Sequence, residues 1–113
     1  MLKKDQLVLI SIREAIDKIL KFSDPFSNAD QFYYDEKSFD AVMMNFIIIG
    51  EMVQRLSNEF KAKYSEIEWP KIWKFRNIIA HDYFGIDAEE VWQIIKKHIP
   101  ELKSEVEKIL TNI

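Results

Sequence analysis

Within the stretch "RNIIAHDYF", Arg76 to Phe84, a guanidinium, an amide, an imidazole, a carboxylate and a phenol fall inside eight residues. Arg76 carries a permanent charge and a rigid fork of donors that suits a carboxylate or a phosphate. His81 carries an imidazole, the side-chain type suited to taking or giving a proton. Asn77 lies four residues before His81 and shares its helix face, whereas Arg76, five residues before, points about 140° away on a regular helix. Convergence of Arg76 with His81 therefore needs an ended or bulged helix near Ala80, or a second copy of the chain. The segment from Trp69 to His81 holds Lys71, Lys74 and Arg76 and no acid, interleaved with Trp69, Trp73 and Phe75. A phosphate-handling surface has this composition, and so has a helix with a solvated lysine face.

The elements that must position these groups are helical. Only two glycines and three prolines punctuate the chain, and apolar residues recur at helical spacing. The pattern predicts an all-α bundle of four to five helices in one domain, residues 1–113. A first helix runs from near Leu2 to Phe22 with Leu9, Ile12, Ile16, Ile19 and Leu20 on one face. The segment that opens with "SDPFSNAD" and extends to about Tyr34 reads as loop. A second helix spans about Asp35 to Ser57, and a helical turn occupies Glu59 to Tyr64. A third starts near Trp69, with Pro70 in its first turn, and ends near His81. A fourth begins with the capping-box pattern at Asp87 and continues toward Leu110, with a kink expected at Pro100.

The second helix is apolar nearly all round. Phe39, Val42, Met43, Phe46, Ile49, Val53 and Leu56 make a core stripe, while Met44, Ile48 and Met52 line another side. That pattern predicts a homodimer through Met44, Ile48 and Met52; cover by the short helix or the loop is the alternative. Glu51 lies inside the same apolar run, and an unpaired buried carboxylate is costly. Arg76, central in the apolar arc that Ile72, Trp73, Phe75, Ile78, Ile79 and Ala80 form, is its candidate partner. A structural Arg76–Glu51 ion pair, or an arginine whose stem covers core while its head reaches water, stays open beside a phosphate-binding role.

Sixteen Lys and Arg against nineteen Asp and Glu give a net charge of −3, so any nucleic-acid site must be local. With no cysteine in the sequence, disulfides, thiolate metal sites and cysteine nucleophiles are excluded. No histidine–carboxylate cluster stands at ligand spacing, so neither metal nor cofactor is expected. The first twenty residues lack the pattern of a signal peptide and no apolar run reaches spanning length, which predicts a cytoplasmic protein. His98 projects near the Val91, Ile95, Leu102 and Val106 stripe and reads as a core or helix-end histidine. Asp82 reads as a first-turn loop acid, and the acids Asp24, Asp30, Asp35 and Glu36 as a solvated or partner-facing segment.

The string "RNIIAHDYFGID", with Trp69 upstream and "VWQIIKKHIPEL" downstream, resembles the HepT-like branch of the HEPN superfamily. These are small all-α toxins with an R-x-x-x-x-H-x-Y signature, matched here by Arg76, His81 and Tyr83. Ile49-Gly50-Glu51 is similar to the family's second-helix pattern, and the resemblance runs from about Ser38 to Leu110. It implies a metal-independent ribonuclease, the toxin of a type VII-like toxin–antitoxin pair, acting as a homodimer with two motif copies across a cleft. It also implies a partner, a cognate minimal nucleotidyltransferase antitoxin that adenylylates the motif tyrosine, Tyr83. The residues are compatible with this. RNA brings its own nucleophile in the 2′-hydroxyl; His81 could take that proton and Arg76 stabilise the phosphate, with Asn77 and Glu51 in support. A second function class remains: a non-catalytic helical module that docks, or presents a nucleotide to, a nucleotidyltransferase.

Overall fold

Local capping sets where most of the helices begin. The computed structural model describes residues 1–113, and in it α1 runs over Lys3–Ser23, α2 over Ala29–Tyr34, α3 over Glu36–Arg55 and α4 over Asn58–Lys63. Helix α5 spans Trp69–His81, then come a 3-10 turn over Tyr83–Gly85, α6 over Ala88–Gln93, a π-helical segment over Ile94–His98 and α7 over Ile99–Thr111. Asn28, Asp35, Ser57 and Asp87 each place a side-chain oxygen on a free backbone N–H at the start of α2, α3, α4 and α6. Pro70 occupies the first turn of α5, where its missing N–H has no cost. The fold is all-α, as the periodicity predicts, with the helix boundaries expected for α1, α3, α4 and α5 met to within about two residues.

Helix α3 is the hub. It packs on α1 along one side and on α5 along another, while α7 lies against α1. All seven residues of the expected α3 core stripe, Phe39 to Leu56, are buried, as are Leu9, Ile12, Ile16 and Ile19 of α1; Leu20 is partly exposed. At its N-terminal end α1 contributes a buried carboxylate. Asp5 accepts the Ser57 backbone N–H at 2.8 Å and its hydroxyl at 2.7 Å, and that same Ser57 caps α4. One buried acid thus ties the start of α1 to the junction of α3 and α4.

Three expectations need correction. The segment up to Tyr34 is not all loop: Ala29–Tyr34 is helical, because Ala29 and Phe32 are buried and Phe32 packs on Phe26, Phe39 and Trp92. A six-residue helix has little stability alone and is held by that packing. The irregularity expected at Pro100 takes the form of a wide turn just before it, the π segment, closed by the Ile99 N–H on the Ile94 carbonyl. Since Pro100 offers no N–H to the preceding turn, the chain widens there. The wider turn also rotates His98 outward and puts Ile99 in the core stripe. His98 is exposed, with Nδ1 3.7 Å from a Glu101 carboxylate oxygen, so it is a surface residue and not a core one. Finally, the apolar arc of α5 is narrower than projected: Ile79 and Trp69 are buried, whereas Ile78 and Ala80 are less so than a core arc requires, Ile78 keeping 47% exposure, since α5 packs chiefly on α3.

Candidate active site

The approach of α5 to α3 depends on a glycine. A Cβ built on Gly50 would stand 2.3 Å from the Cβ and 2.6 Å from the Cγ of Arg76. The aliphatic stem of Arg76 therefore lies in the gap where any other residue of α3 would project a side chain. The "IGE" tripeptide gains its meaning from this contact: Gly50 admits the arginine stem, and the next residue, Glu51, meets the arginine head.

That head is held on three sides. Nη2 donates to Glu51 Oε1, Nη1 donates to Asn77 Oδ1 at 3.1 Å, and the guanidinium carbon lies 5.0 Å from the centre of the Trp73 ring. Nε is buried and has no acceptor. A guanidinium has five N–H bonds, so one hydrogen on each Nη remains for a further anion. The Arg76–Glu51 pair, one of the readings open from the sequence, is present, and the Arg76 side chain keeps 22% exposure. Glu51 and Asn77 act as braces that fix the fork while the lysines of α5 remain exposed nearby.

His81 is the last residue of α5 and is exposed. No hydrogen bond or ion pair ties it to Arg76 within the chain. The helix stops there because Asp82 leaves helical geometry, and the Asp82 side chain folds over Gly85, where an added Cβ would lie 2.3 Å from its Oδ2. The resulting tight turn carries Tyr83 and Phe84.

Tyr83 turns back onto α3. Its phenol donates to Asp40 Oδ1, and its ring meets Phe39 edge-on at 6.0 Å and Phe84 at 5.8 Å. Burial, then the Asp40 hydrogen bond and charge, and then Tyr33 raise the phenol well above its ordinary range, so it stays protonated. Phe84 is fully exposed. Asp40 as a partner of Tyr83, and Trp73 as a partner of Arg76, emerge only in the folded chain. The i, i+3 spacing of Trp73 and Arg76 on one helix could have shown the second; nothing in the sequence marks Asp40 as the partner of a residue 43 positions away.

Apolar side chains of α3 and α5 are also exposed near this site. Met44 is 56% exposed and Ile78 47%, while Ile48 and Met52 are partly buried against the core. A separate open groove of about 680 Å³ between the α5 face and α7 has Phe46, Ile72 and Leu102 in its wall. Four glutamates, Glu66, Glu68, Glu101 and Glu105, also line it, which disfavours a phosphate there.

The family described as HepT-like, ribonuclease HepT-like, matches residues 12–109, from the α1 core face to the end of α7. The chain belongs to the HepT-like ribonuclease family. It is 34% identical over 113 residues to a Methanocaldococcus jannaschii protein whose name joins gamma-glutamylcyclotransferase to RNase, covering 99% of this chain and 50% of that protein. It is 37% identical over 101 residues to the probable ribonuclease HepT of Thermococcus cleftensis, covering 89% of this chain and 91% of that one. A second Methanocaldococcus jannaschii protein with RNase in its name is 33% identical over 112 residues, covering 98% and 92%. The chain thus spans half the length of the first of these relatives and about nine-tenths of the other two. No solved structure matches. The all-α HEPN fold implied by the motif resemblance is the fold observed, and no helix is long and apolar enough to cross a membrane. In this HepT-like chain Arg76 is anchored to Glu51 and Asn77, His81 stands free at a helix end, and Tyr83 is bonded to Asp40.

Proposed function

We propose that this HepT-like chain is a metal-independent endoribonuclease whose active cleft is completed by a second copy, and that it is the toxin of a toxin–antitoxin pair in the cytoplasm. One observation carries the reading: Arg76 is fixed by Glu51, Asn77 and Trp73 with two N–H bonds to spare, on the helix that ends in an exposed, unbonded His81. An arginine needed only for an ion pair has no use for an imidazole one and a half turns further on. His81 takes the 2′-hydroxyl proton of RNA, that oxygen attacks the adjacent phosphorus, and Arg76 stabilises the charge that develops on the phosphate. The 5′-oxygen then leaves and needs a proton, which the second His81 of a dimer supplies.

Pairing through the exposed surface around Met44 and Ile78 brings two such helices together and removes apolar side chains from water. Restraint comes from a cognate minimal nucleotidyltransferase that adenylylates Tyr83, placing a phosphate and a base at the entrance to the cleft. The test is RNA cleavage by the purified chain in excess chelator, with and without prior modification. Cleavage that survives chelation and is lost in His81→Ala supports the reading. An inert wild type that still binds the transferase tightly would establish instead the non-catalytic docking module, a reading favoured by the absence of any bond between Arg76 and His81 within one chain.

A further inference from the structure

We propose that Asp40 is the proton acceptor for nucleotide transfer to Tyr83, and so the residue that makes this tyrosine, and not its more exposed neighbours, the modified one. The inference rests on the reading of Tyr83 as the adenylyl acceptor. Accessibility alone would choose differently: Tyr34 is 79% exposed and Tyr33 46%, while Tyr83 is partly buried. Among these three phenols only that of Tyr83 is hydrogen-bonded to a carboxylate.

The same turn of α3 supplies both the proton acceptor and the wall that fixes the ring. Asp40 accepts the phenolic hydrogen while its neighbour Phe39 meets the ring edge-on, and Phe39 is itself wedged by Phe32 at 5.3 Å and Tyr33 at 5.1 Å. The groups facing the phenol are Asp40 from α3 and Tyr33 from α2, with Asp82 adjacent in the chain; none is a cation. A phenol in such a place gains no phenolate at neutral pH, so its oxygen becomes a nucleophile only if a base removes the proton as the new bond forms. In the transfer step a lone pair of the phenolic oxygen forms a bond to the α-phosphorus of ATP. The bond from that phosphorus to the bridging oxygen breaks, and pyrophosphate leaves with the electron pair. The phenolic proton passes to Asp40 Oδ1 and, because Asp40 is exposed, from there to water.

The test uses the purified full chain, its cognate minimal nucleotidyltransferase and magnesium ATP, with adenylate on the Tyr33–Tyr34 and Tyr83 peptides followed by mass spectrometry between about pH 6 and 9, a range that brackets the ordinary working range of a general base. Asp40→Asn keeps an oxygen that can accept the phenol hydrogen bond but is not a base, so a purely positioning role would leave its rate near that of wild type. The expected result is a loss on the order of 10²-fold at neutral pH, with a residual rate that rises with pH more steeply than the wild-type rate. Asp40→Glu, which restores a carboxylate on a longer stem, should recover part of the activity. Wild-type rates in Asp40→Asn, or Asp40→Glu no faster than Asp40→Asn, would overturn the role of Asp40 and leave the reading of Tyr83 standing. No adenylate on wild-type Tyr83 would overturn both.

Discussion

Substituting His81 and substituting Arg76 should have different consequences, because only one of them is built into the fold. His81 is exposed and bonded to nothing, so His81→Ala should change unfolding free energy by no more than about 0.5 kcal/mol while lowering RNA cleavage about 10²- to 10⁴-fold. Arg76→Ala removes the proposed phosphate contact and also leaves Glu51 without its partner and Trp73 without its cation. For a partly buried pair that loss is about 1 kcal/mol, so denaturant unfolding should separate the two variants even though both are expected to lose activity. Tyr83 adds a dependence on alkaline pH. Its phenol holds its proton in the folded chain well above the ordinary range, whereas the unfolded phenol ionises from about pH 10. Above that pH the unfolded state binds fewer protons, so the stabilisation is complete below about pH 10 and declines as pH rises further. The stability difference between wild type and Tyr83→Phe should therefore shrink from about pH 10 upward in thermal melts. At this scale residue type and spacing single out Arg76, His81 and Tyr83 as candidates, and the fold shows where each one stands. Their partners were legible only where an apolar run isolated a charge, as for Glu51; Asp40 lies on an ordinary polar helix start and carries no such mark.

At the scale of elements, the seating of Arg76 depends on how closely α5 can approach α3. Gly50→Ala puts a methyl group inside the Arg76 stem, and the two helices must part to admit it. Such overpacking costs about 1–3 kcal/mol. The variant should unfold at lower denaturant and cleave RNA poorly although Arg76, His81 and Tyr83 remain. A second junction is the buried Asp5 carboxylate. Asp5→Ala strands the Ser57 N–H and loosens the cap of α4, with an expected loss of about 2 kcal/mol; Asp5→Asn, which keeps an acceptor oxygen, should lose less. Helices α1, α3 and α5 could be read from the sequence because their apolar periods are long and their ends carry caps or proline. Helix α2 could not, because it is six residues long, rich in turn-forming neighbours, and helical only because Phe32 finds an aromatic nest. The π segment leaves no mark in the sequence for a related reason: a regular step of about 100° per residue cannot represent a wide turn, and such a step puts His98 on the core stripe although it is exposed.

For the whole molecule, the proposed pairing turns on the apolar side chains exposed beside the site. Met44 and Ile78 stand out from the monomer, with the fully exposed Phe84 on the turn after α5. Ile48, more deeply seated, also supports the chain's own core, so a charge there would disturb folding as well as pairing. Met44→Glu is the cleaner probe: it should leave the helical spectrum and melting temperature nearly unchanged while giving a monomer by sedimentation. A Met44→Glu protein that still sediments as a dimer would place the contact elsewhere. If each cleft draws one His81 from either copy, catalysis obeys mass action in the chain itself. Below the dissociation constant the number of complete sites varies as the square of the chain concentration, so halving the dose should cut total cleavage about fourfold. Harm to a host would then have a threshold, and a few stray copies left by incomplete modification would be almost silent.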